Sequence, residues 1–328
     1  MVAFQKDILC PEETGSAHPP VYEPEQLGRI TAGTEHQSVE NEIRSMLAET
    51  YKHAPTIAYH IRDAVVYDGS IYAGTMRHFI SDRSLSQANS DINHFRQAAL
   101  VSSAVGCRYF GHWLRDDCVQ YLLASQAGKP ICMTGELTSH QKSYATHFDQ
   151  DWSSTSAAII DHLIVYQDFG QNSLKRSRYE ELSDRLGRAY PKPARREGLI
   201  FLRRGRSGVL RTIENEDELL TALTRHGFEI VDVAQVDLAR IIERLRTAQL
   251  VVSMEGSQIT HCTFTLAPGC GLLVLEPPDR FTAVHRHWTE CRGVKFGFVV
   301  GEKTTSGYRF SSSEVLRVAD RLLSRLLR

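Results

Sequence analysis

Three groups of residues have the types and spacing to do chemistry. In Tyr109-Phe110-Gly111-His112-Trp113-Leu114-Arg115-Asp116-Asp117, a histidine and an acid stand four positions apart. On a helix such residues share a face, the arrangement of a general base and the carboxylate that orients it. In Val251-Val252-Ser253-Met254-Glu255-Gly256-Ser257-Gln258-Ile259-Thr260-His261, an apolar strand runs into a small-residue turn. At the carboxyl edge of an open α/β sheet that junction is where ligands bind. Gly256 and Ser257 let backbone N–H groups approach a phosphate, and Glu255 is the one acid in a turn that would favour anions. In Arg203-Arg204-Gly205-Arg206-Ser207-Gly208, with Arg211 close behind, guanidinium forks follow a strand directly. Such forks match phosphate oxygens, although the loop lacks the GxxxxGK[ST] pattern of a P-loop.

Shorter patterns add less. Glu276-Pro277-Pro278 puts an acid at the end of an apolar strand, where carboxylates accept hydrogen bonds from ribose hydroxyls in nucleotide sites. Asp149-Gln150-Asp151 pairs two carboxylates at a spacing that suits a divalent ion, and His285-Arg286-His287 offers two imidazoles. Neither pattern brings a third ligand by spacing.

Elements must place these groups. Pro19-Pro20 and Pro24 predict extended or loop structure before residue 40. A helical pattern begins near Glu40 and runs to Tyr51. Short strands are expected over 56–59, 64–67, 70–73, 98–104, 130–133 and 159–165, with a hairpin turn at Asp68-Gly69-Ser70. A helix over Tyr109–Ala124 would carry His112 and Asp116. Pro191, Pro193 and the run Arg195-Arg196-Glu197-Gly198 read as a linker. Beyond it, strands at 199–202, 228–233, 250–253 and 272–275 alternate with helices at 214–226 and 237–247, which predicts a parallel sheet covered on both faces. Ser311 and Glu314 have capping-box spacing. Behind them Val315, Leu316, Ala319, Leu322, Leu323, Leu326 and Leu327 form an apolar stripe, and Arg317, Arg321, Arg325 and Arg328 a basic one. A closing helix packed on the body is expected, with docking on an anionic membrane surface as the alternative.

The bulk numbers fit a soluble globular chain. Its 328 residues suffice for two domains, 42% are hydrophobic and 23% charged. A net charge of −1 argues against general nucleic-acid binding. The seven cysteines are scattered and none forms CxxC, so reduced thiols are expected. Met1 to Asp7 lacks the pattern of a signal peptide, and no apolar run is long enough to span a bilayer. A cytoplasmic location is expected, with membrane material met only from the inner face.

The order Arg203-Arg204, Arg211-Thr212-Ile213-Glu214-Asn215, Glu218-Leu219, Gly227-Phe228-Glu229-Ile230-Val231, Ala248, Val251-Val252, Gly256, Phe264, Pro268-Gly269 and Glu276 resembles the C-terminal half of glycosyltransferase family 61. That family includes bacterial capsular-polysaccharide enzymes and eukaryotic xylosyl- and N-acetylglucosaminyltransferases. His112-Trp113 with Asp116 resembles its His-Trp segment with a following acid. The family often carries His-Gly at the strand end and an Asn after the Thr. Here Glu255-Gly256 and Thr260-His261 occupy those places.

The resemblance implies an α/β, GT-B-like architecture: two Rossmann-like domains facing across a cleft, with a C-terminal helix closing the body. Residues 1–40 would be an N-terminal extension, 41–190 the acceptor-side domain, 191–198 a linker, 199–310 the nucleotide-sugar-binding domain and 311–328 the closing helix. It implies an inverting, metal-independent transfer from a nucleotide-sugar donor to a glycan or polysaccharide acceptor, with no cofactor beyond that donor. Catalytic roles would fall to His112, Asp116 and Glu255. Donor binding would fall to Arg203, Arg204, Arg211, Asn215, Gly256, Ser257, Gln258, Thr260 and Glu276. Glu255 would then face a hydroxyl or pair with an arginine, not a phosphate. Two alternatives accompany this: a metal-dependent transferase built on Asp149 and Asp151, and a degenerate transferase that binds a glycan or a protein.

Overall fold

A computed structural model describes residues 3–34, 37–81, 92–205 and 211–326. The chain forms two compact units, residues 1–13 with 52–189 and residues 14–51 with 190–328.

The first unit is built on a mixed seven-stranded sheet. Its spatial order is Met76–Phe79, Ser70–Ala73, Thr56–Tyr67, Ala157–Gln167, Asn93–Leu100 and Lys129–Ile131, with Gln5–Cys10 also paired to Thr56–Tyr67. The hairpin expected at Asp68-Gly69 is present. Tyr67 faces Ser70, and both turn residues take positive φ, 42° and 69°, the left-handed pair that matches strand twist. Ala157–Gln167 runs antiparallel to Thr56–Tyr67 but parallel to Asn93–Leu100. The parallel step from Asn93–Leu100 to Lys129–Ile131 requires a crossover, and the helical run that carries His112 supplies it. Ile61, Val66, Leu100, Ile131, Ile160 and Leu163 form the core beneath.

That run covers Phe110–Ala127 in three pieces: Phe110–His112, a π-helical turn at Trp113–Asp117, and Cys118–Ala127. A π turn holds an extra residue within a helix. Trp113 is fully buried and packs on Trp152 with ring centroids 5.1 Å apart, which fixes the turn against the body. A second helix, Ser173–Ala189, has no counterpart in the sequence reading. Asn172 starts it, its Oδ1 accepting from the Lys175 backbone N–H at 3.0 Å, as an N-cap does. Its buried face begins with two cations, Lys175 and Arg178, before Tyr179, Leu182 and Leu186.

The second unit holds five strands, all parallel: Gly198–Arg203, Phe228–Asp232, Ala248–Met254, Gly271–Glu276 and Lys295–Val300. Numbered along the chain, their spatial order is 2-1-3-4-5, a doubly wound Rossmann-like sheet. Gly271–Glu276 is buried at every position, which follows from helices on both faces. Leu219 and Leu223 of Glu216–Arg225 and Val315, Val318, Ala319 and Leu322 of Ser312–Leu326 cover one face. Ile241 and Leu245 of Leu238–Thr247 and Trp288 of Val284–Arg292 cover the other.

Two expectations change here. The segment before residue 40 is not only an extension, because residues 14–51 are built into this unit. Val21 pairs along the edge strand, its N–H donating to Phe296 O at 2.9 Å and its carbonyl accepting from Phe298 N at 3.0 Å. The apolar stripe of the closing helix is spent inside the unit, and Arg317 of its basic stripe donates to both Glu23 oxygens at 2.9 and 3.0 Å. Leu327 and Arg328 lie outside the described residues. Among the described residues no helix is long and apolar enough to cross a membrane.

Candidate active site

His112 and Asp116 meet as their spacing suggested, with Nδ1 to Oδ2 at 2.9 Å. Arg115 Nη2 lies 2.9 Å from the same Oδ2 and 3.1 Å from His112 Nδ1. A guanidinium only donates and an ionised carboxylate only accepts. With a proton on Nδ1 the imidazole and Arg115 both donate to Oδ2, their 3.1 Å approach being that of two donors sharing one acceptor, and His112 Nε2 is left as the acceptor. Lys175 Nζ reaches the other oxygen, Oδ1, at 3.0 Å, and also donates to the Asp168 carbonyl at 2.9 Å. Burial alone would push the Asp116 carboxyl up. The Arg115 and Lys175 charges and the His112 hydrogen bond instead hold it well below the usual carboxylate range. Burial also works against the Lys175 charge, but Asp116 keeps its pKa above that of an ordinary lysine. The carboxylate is thus fixed in charge and position, and the imidazole in tautomer.

Asp117, next along the π turn, differs. Burial pushes its carboxyl well above the usual range, although hydrogen bonds from the Ser103 backbone and hydroxyl work the other way. A side chain at Gly106 would run into this carboxyl. Asp117 therefore ties the crossover helices together rather than facing a substrate.

In the second unit the strand order reverses between Gly198–Arg203 and Ala248–Met254. The crevice at such a switch point is the ligand site of doubly wound sheets. Both loops singled out in the sequence leave the sheet there. Gly256 has φ 153° and ψ 175°, a conformation open essentially to glycine alone. The Arg204 guanidinium occupies the space a side chain at 256 would need. Arg204 Nη1 donates to the Glu255 carbonyl at 3.2 Å, and Arg211 Nη1 does the same at 3.2 Å. Gln258 braces the turn from below, donating to Ser253 Oγ at 3.1 Å and to the Met254 carbonyl. Ser257 is half-buried and Thr260 is buried. Arg206, Ser207 and Gly208 lie outside the described residues.

Glu255 pairs with an arginine, its Oε2 lying 3.0 Å from Arg211 Nε. Burial opposes its charge, but His285 and Arg211 keep its pKa below the ordinary glutamate value. Glu276, at the end of the neighbouring strand, has no exposed surface. Burial first, then the Glu255 and Glu42 charges, push its carboxyl well above the usual range. Glu276 is enclosed at the strand end, with no surface of its own in this structure. Its sign in a pH experiment is fixed. Stability from a raised carboxyl is complete below the unfolded value, near 4.3, and is lost as pH rises towards the folded one. Glu276→Gln cannot ionise. Its stability relative to the parent is expected to grow by about 1.4 kcal/mol for each pH unit above that point until the folded value is reached. Thermal melts from pH 5 to 8 check this, and a Tm difference that ignores pH would refute it.

Two residues expected at the donor are committed elsewhere. Arg203 bonds both Glu216 oxygens, at 3.1 and 2.6 Å, and Asp232 at 3.1 Å. Asn215 donates to the Phe310 carbonyl at 2.8 Å and accepts from its N–H at 3.1 Å, closing the start of one helix onto a distant backbone. Of the metal patterns, Asp151 accepts from Ser153 N at 2.9 Å, and Gln150 is buried between Cys118 and Trp152. His287 faces Ser45 Oγ at 2.8 Å, whereas His285 faces Glu255 at 3.7 Å. Among the described residues no group of three or more His, Cys, Asp or Glu side chains is placed to hold an ion.

The family model described as Glycosyltransferase 61 matches residues 110–273, half of the chain. The chain belongs to glycosyltransferase family 61. The matched span contains the His112–Asp116 pair, the arginine loop and the Gly256 turn. No curated protein matches it. Among solved structures, a mutant flavo di-iron protein from Thermotoga maritima is 12% identical at a TM-score of 0.31, covering 83% of this chain and 65% of that one. A flavoprotein from the same organism is 12% identical at a TM-score of 0.30, covering 83% and 64%. The chain thus spans under two thirds of those proteins, and similarity that low identifies no shared fold.

Sequence reading of this transferase missed Arg115 and Lys175. Arg115 sits beside the acid it holds, and its burial was the missing fact. Lys175 stands 59 residues from Asp116. Its only signals were the Asn172-Ser173 start and the spacing of Tyr179, Leu182 and Leu186, which together mark a helix.

Proposed function

We propose that this glycosyltransferase is inverting and metal-independent and moves a sugar from a nucleotide-sugar donor to a glycan or polysaccharide acceptor. The observation that carries the reading is the switch-point turn, where Arg204 and Arg211 converge on the Glu255 carbonyl just before Gly256. In this reading the diphosphate lies against those two guanidinium groups. The acceptor hydroxyl gives its proton to His112 Nε2 while its oxygen attacks the anomeric carbon. The bond from that carbon to the diphosphate oxygen breaks on the opposite face, which inverts the configuration. Asp116 stabilises the imidazolium that forms, and the arginines stabilise the charge growing on the leaving diphosphate. Acceptor activation in the first unit and donor binding in the second is the division of labour of a GT-B enzyme. All seven cysteines are buried and none is in a disulfide, which suits a reducing cytoplasm.

Arg204→Ala tests the donor assignment. Losing charge-assisted bonds to phosphate is expected to weaken binding of UDP or GDP by about 10- to 100-fold, read by calorimetry in buffer with excess chelator. Affinity equal to that of the parent protein would remove the switch point as the donor site. If neither nucleotide raises the parent's melting temperature, as a bound ligand must, the degenerate reading takes its place.

A further inference from the structure

Beneath the Gly256 turn lies a chain of contacts that ends on Arg211 and begins at residues the mechanism above does not use. Trp288 Nε1 lies 3.3 Å from His285 Nδ1, with both groups buried. An indole N–H can only donate, so Nδ1 is the acceptor and the imidazole proton stands on Nε2. Nε2 lies 3.7 Å from Glu255 Oε1, beyond hydrogen-bond length but near enough for the imidazole dipole to favour the carboxylate. The other Glu255 oxygen lies 3.0 Å from Arg211 Nε. Arg211 then returns to the same residue through its 3.2 Å bond to the Glu255 carbonyl. Glu255 is itself pinned to the sheet, its N–H donating to Leu275 O at 2.9 Å.

The far end of the chain is equally fixed. His285 sits in the first turn of Val284–Arg292. Glu42, from the segment built into this unit, accepts from the Ala283 N–H at 2.8 Å and so caps that helix from outside. The ring cannot turn away without giving up the Trp288 bond. A second proton on Nδ1 would set two donors against each other.

We propose that His285 is a positioning residue for glycosyl transfer, acting through Glu255 to hold Arg211 over the Gly256 turn where the diphosphate binds. This rests on the donor reading above. A carboxylate facing a phosphate site would repel its ligand if it could swing outward. A neutral imidazole behind it and a guanidinium beside it keep Glu255 directed inward. Arg211 then presents its remaining N–H groups in one orientation. The Glu255-Gly256 pairing at the strand end thereby becomes compatible with an anionic donor.

The test compares His285→Leu with His285→Gln, which keeps an N–H donor near the Nε2 position. UDP and GDP affinity, donor KM and kcat, and acceptor KM are measured for each. His285→Leu is expected to weaken diphosphate binding and raise donor KM about tenfold, with acceptor KM unmoved. His285→Gln is expected to recover most of that loss. In a Glu255→Gln background His285→Leu should add nothing further, since the two act as one unit. If His285→Leu binds as the parent does while Arg204→Ala has lost binding, the positioning role is overturned and the donor site stands. If Arg204→Ala also binds normally, the donor reading itself has failed. The ring of the parent protein gives a check that needs no variant. Its ¹⁵N spectrum should show Nε2 protonated and Nδ1 bare, and a reversed tautomer or a doubly protonated ring would overturn the proposal even if His285→Leu failed to fold.

Discussion

Replacing His112 with alanine is expected to lower kcat by about 10²- to 10⁴-fold, the usual contribution of a positioned general base. Affinity for UDP and GDP should not change. The reason is the split between the two sets of residues. Proton removal from the acceptor is assigned to an imidazole of the first unit, and charge stabilisation of the leaving group to arginines of the second. Loss of one should leave the other intact, so the defect belongs in kcat with the donor dissociation constant preserved. The paired measurement is steady-state turnover with calorimetric nucleotide binding. A variant that turns over like its parent would show that another group takes the proton. One that loses nucleotide binding as well would show that His112 serves the fold or the donor.

Asp116→Asn carries the second large effect, and its direction comes from charge. One carboxylate holds Lys175, whose side chain is 1% exposed, and Arg115, at 9%. Removing its charge leaves two enclosed cations with no anion between them. Breaking a buried pair in this way typically costs about 3–5 kcal/mol, so a fall in melting temperature large enough to threaten folding is expected. The sharper test is the double variant. Lys175→Met in the Asp116→Asn background removes one stranded cation and should restore part of the lost stability. Denaturant unfolding of the four proteins in the cycle measures that coupling. A double variant no more stable than Asp116→Asn would mean that Lys175 and Asp116 do not depend on each other.

What could be read from sequence divides along the distance over which each contact acts. His112 and Asp116 lie one helical turn apart, so spacing alone brought them together. The Asp68-Gly69 turn is likewise local. The strand–helix alternation after residue 198 predicted a parallel sheet, but the position of the order reversal, which creates the crevice, depends on pairings between distant strands. Nothing local marks Lys175 and Arg178 as buried cations. Only the fold shows that Arg178 is buried with Asp168, and that Lys175 meets the half-buried Asp116. Arg203 and Arg204 are adjacent and chemically identical, yet one is locked between Glu216 and Asp232 and the other lies over Gly256. No local pattern separates two such neighbours. Asn215 looked like a ligand-binding amide for the same reason, its partner Phe310 being 95 residues away.

The pairing of Val21 with the last strand has a consequence for handling this protein. Lys295–Val300 is the outer strand on its side of the parallel sheet, and five of its six residues are buried. Without Val21 and the segment around it, that strand would offer a row of bare N–H and C=O groups flanked by Phe296, Phe298, Val299 and Val300. Such an edge is a template for pairing with another chain. A chain trimmed to remove the proline-rich start would thus acquire a surface prone to forming intermolecular sheets, even with every catalytic side chain present. Val21 covers part of that edge with backbone hydrogen bonds of its own.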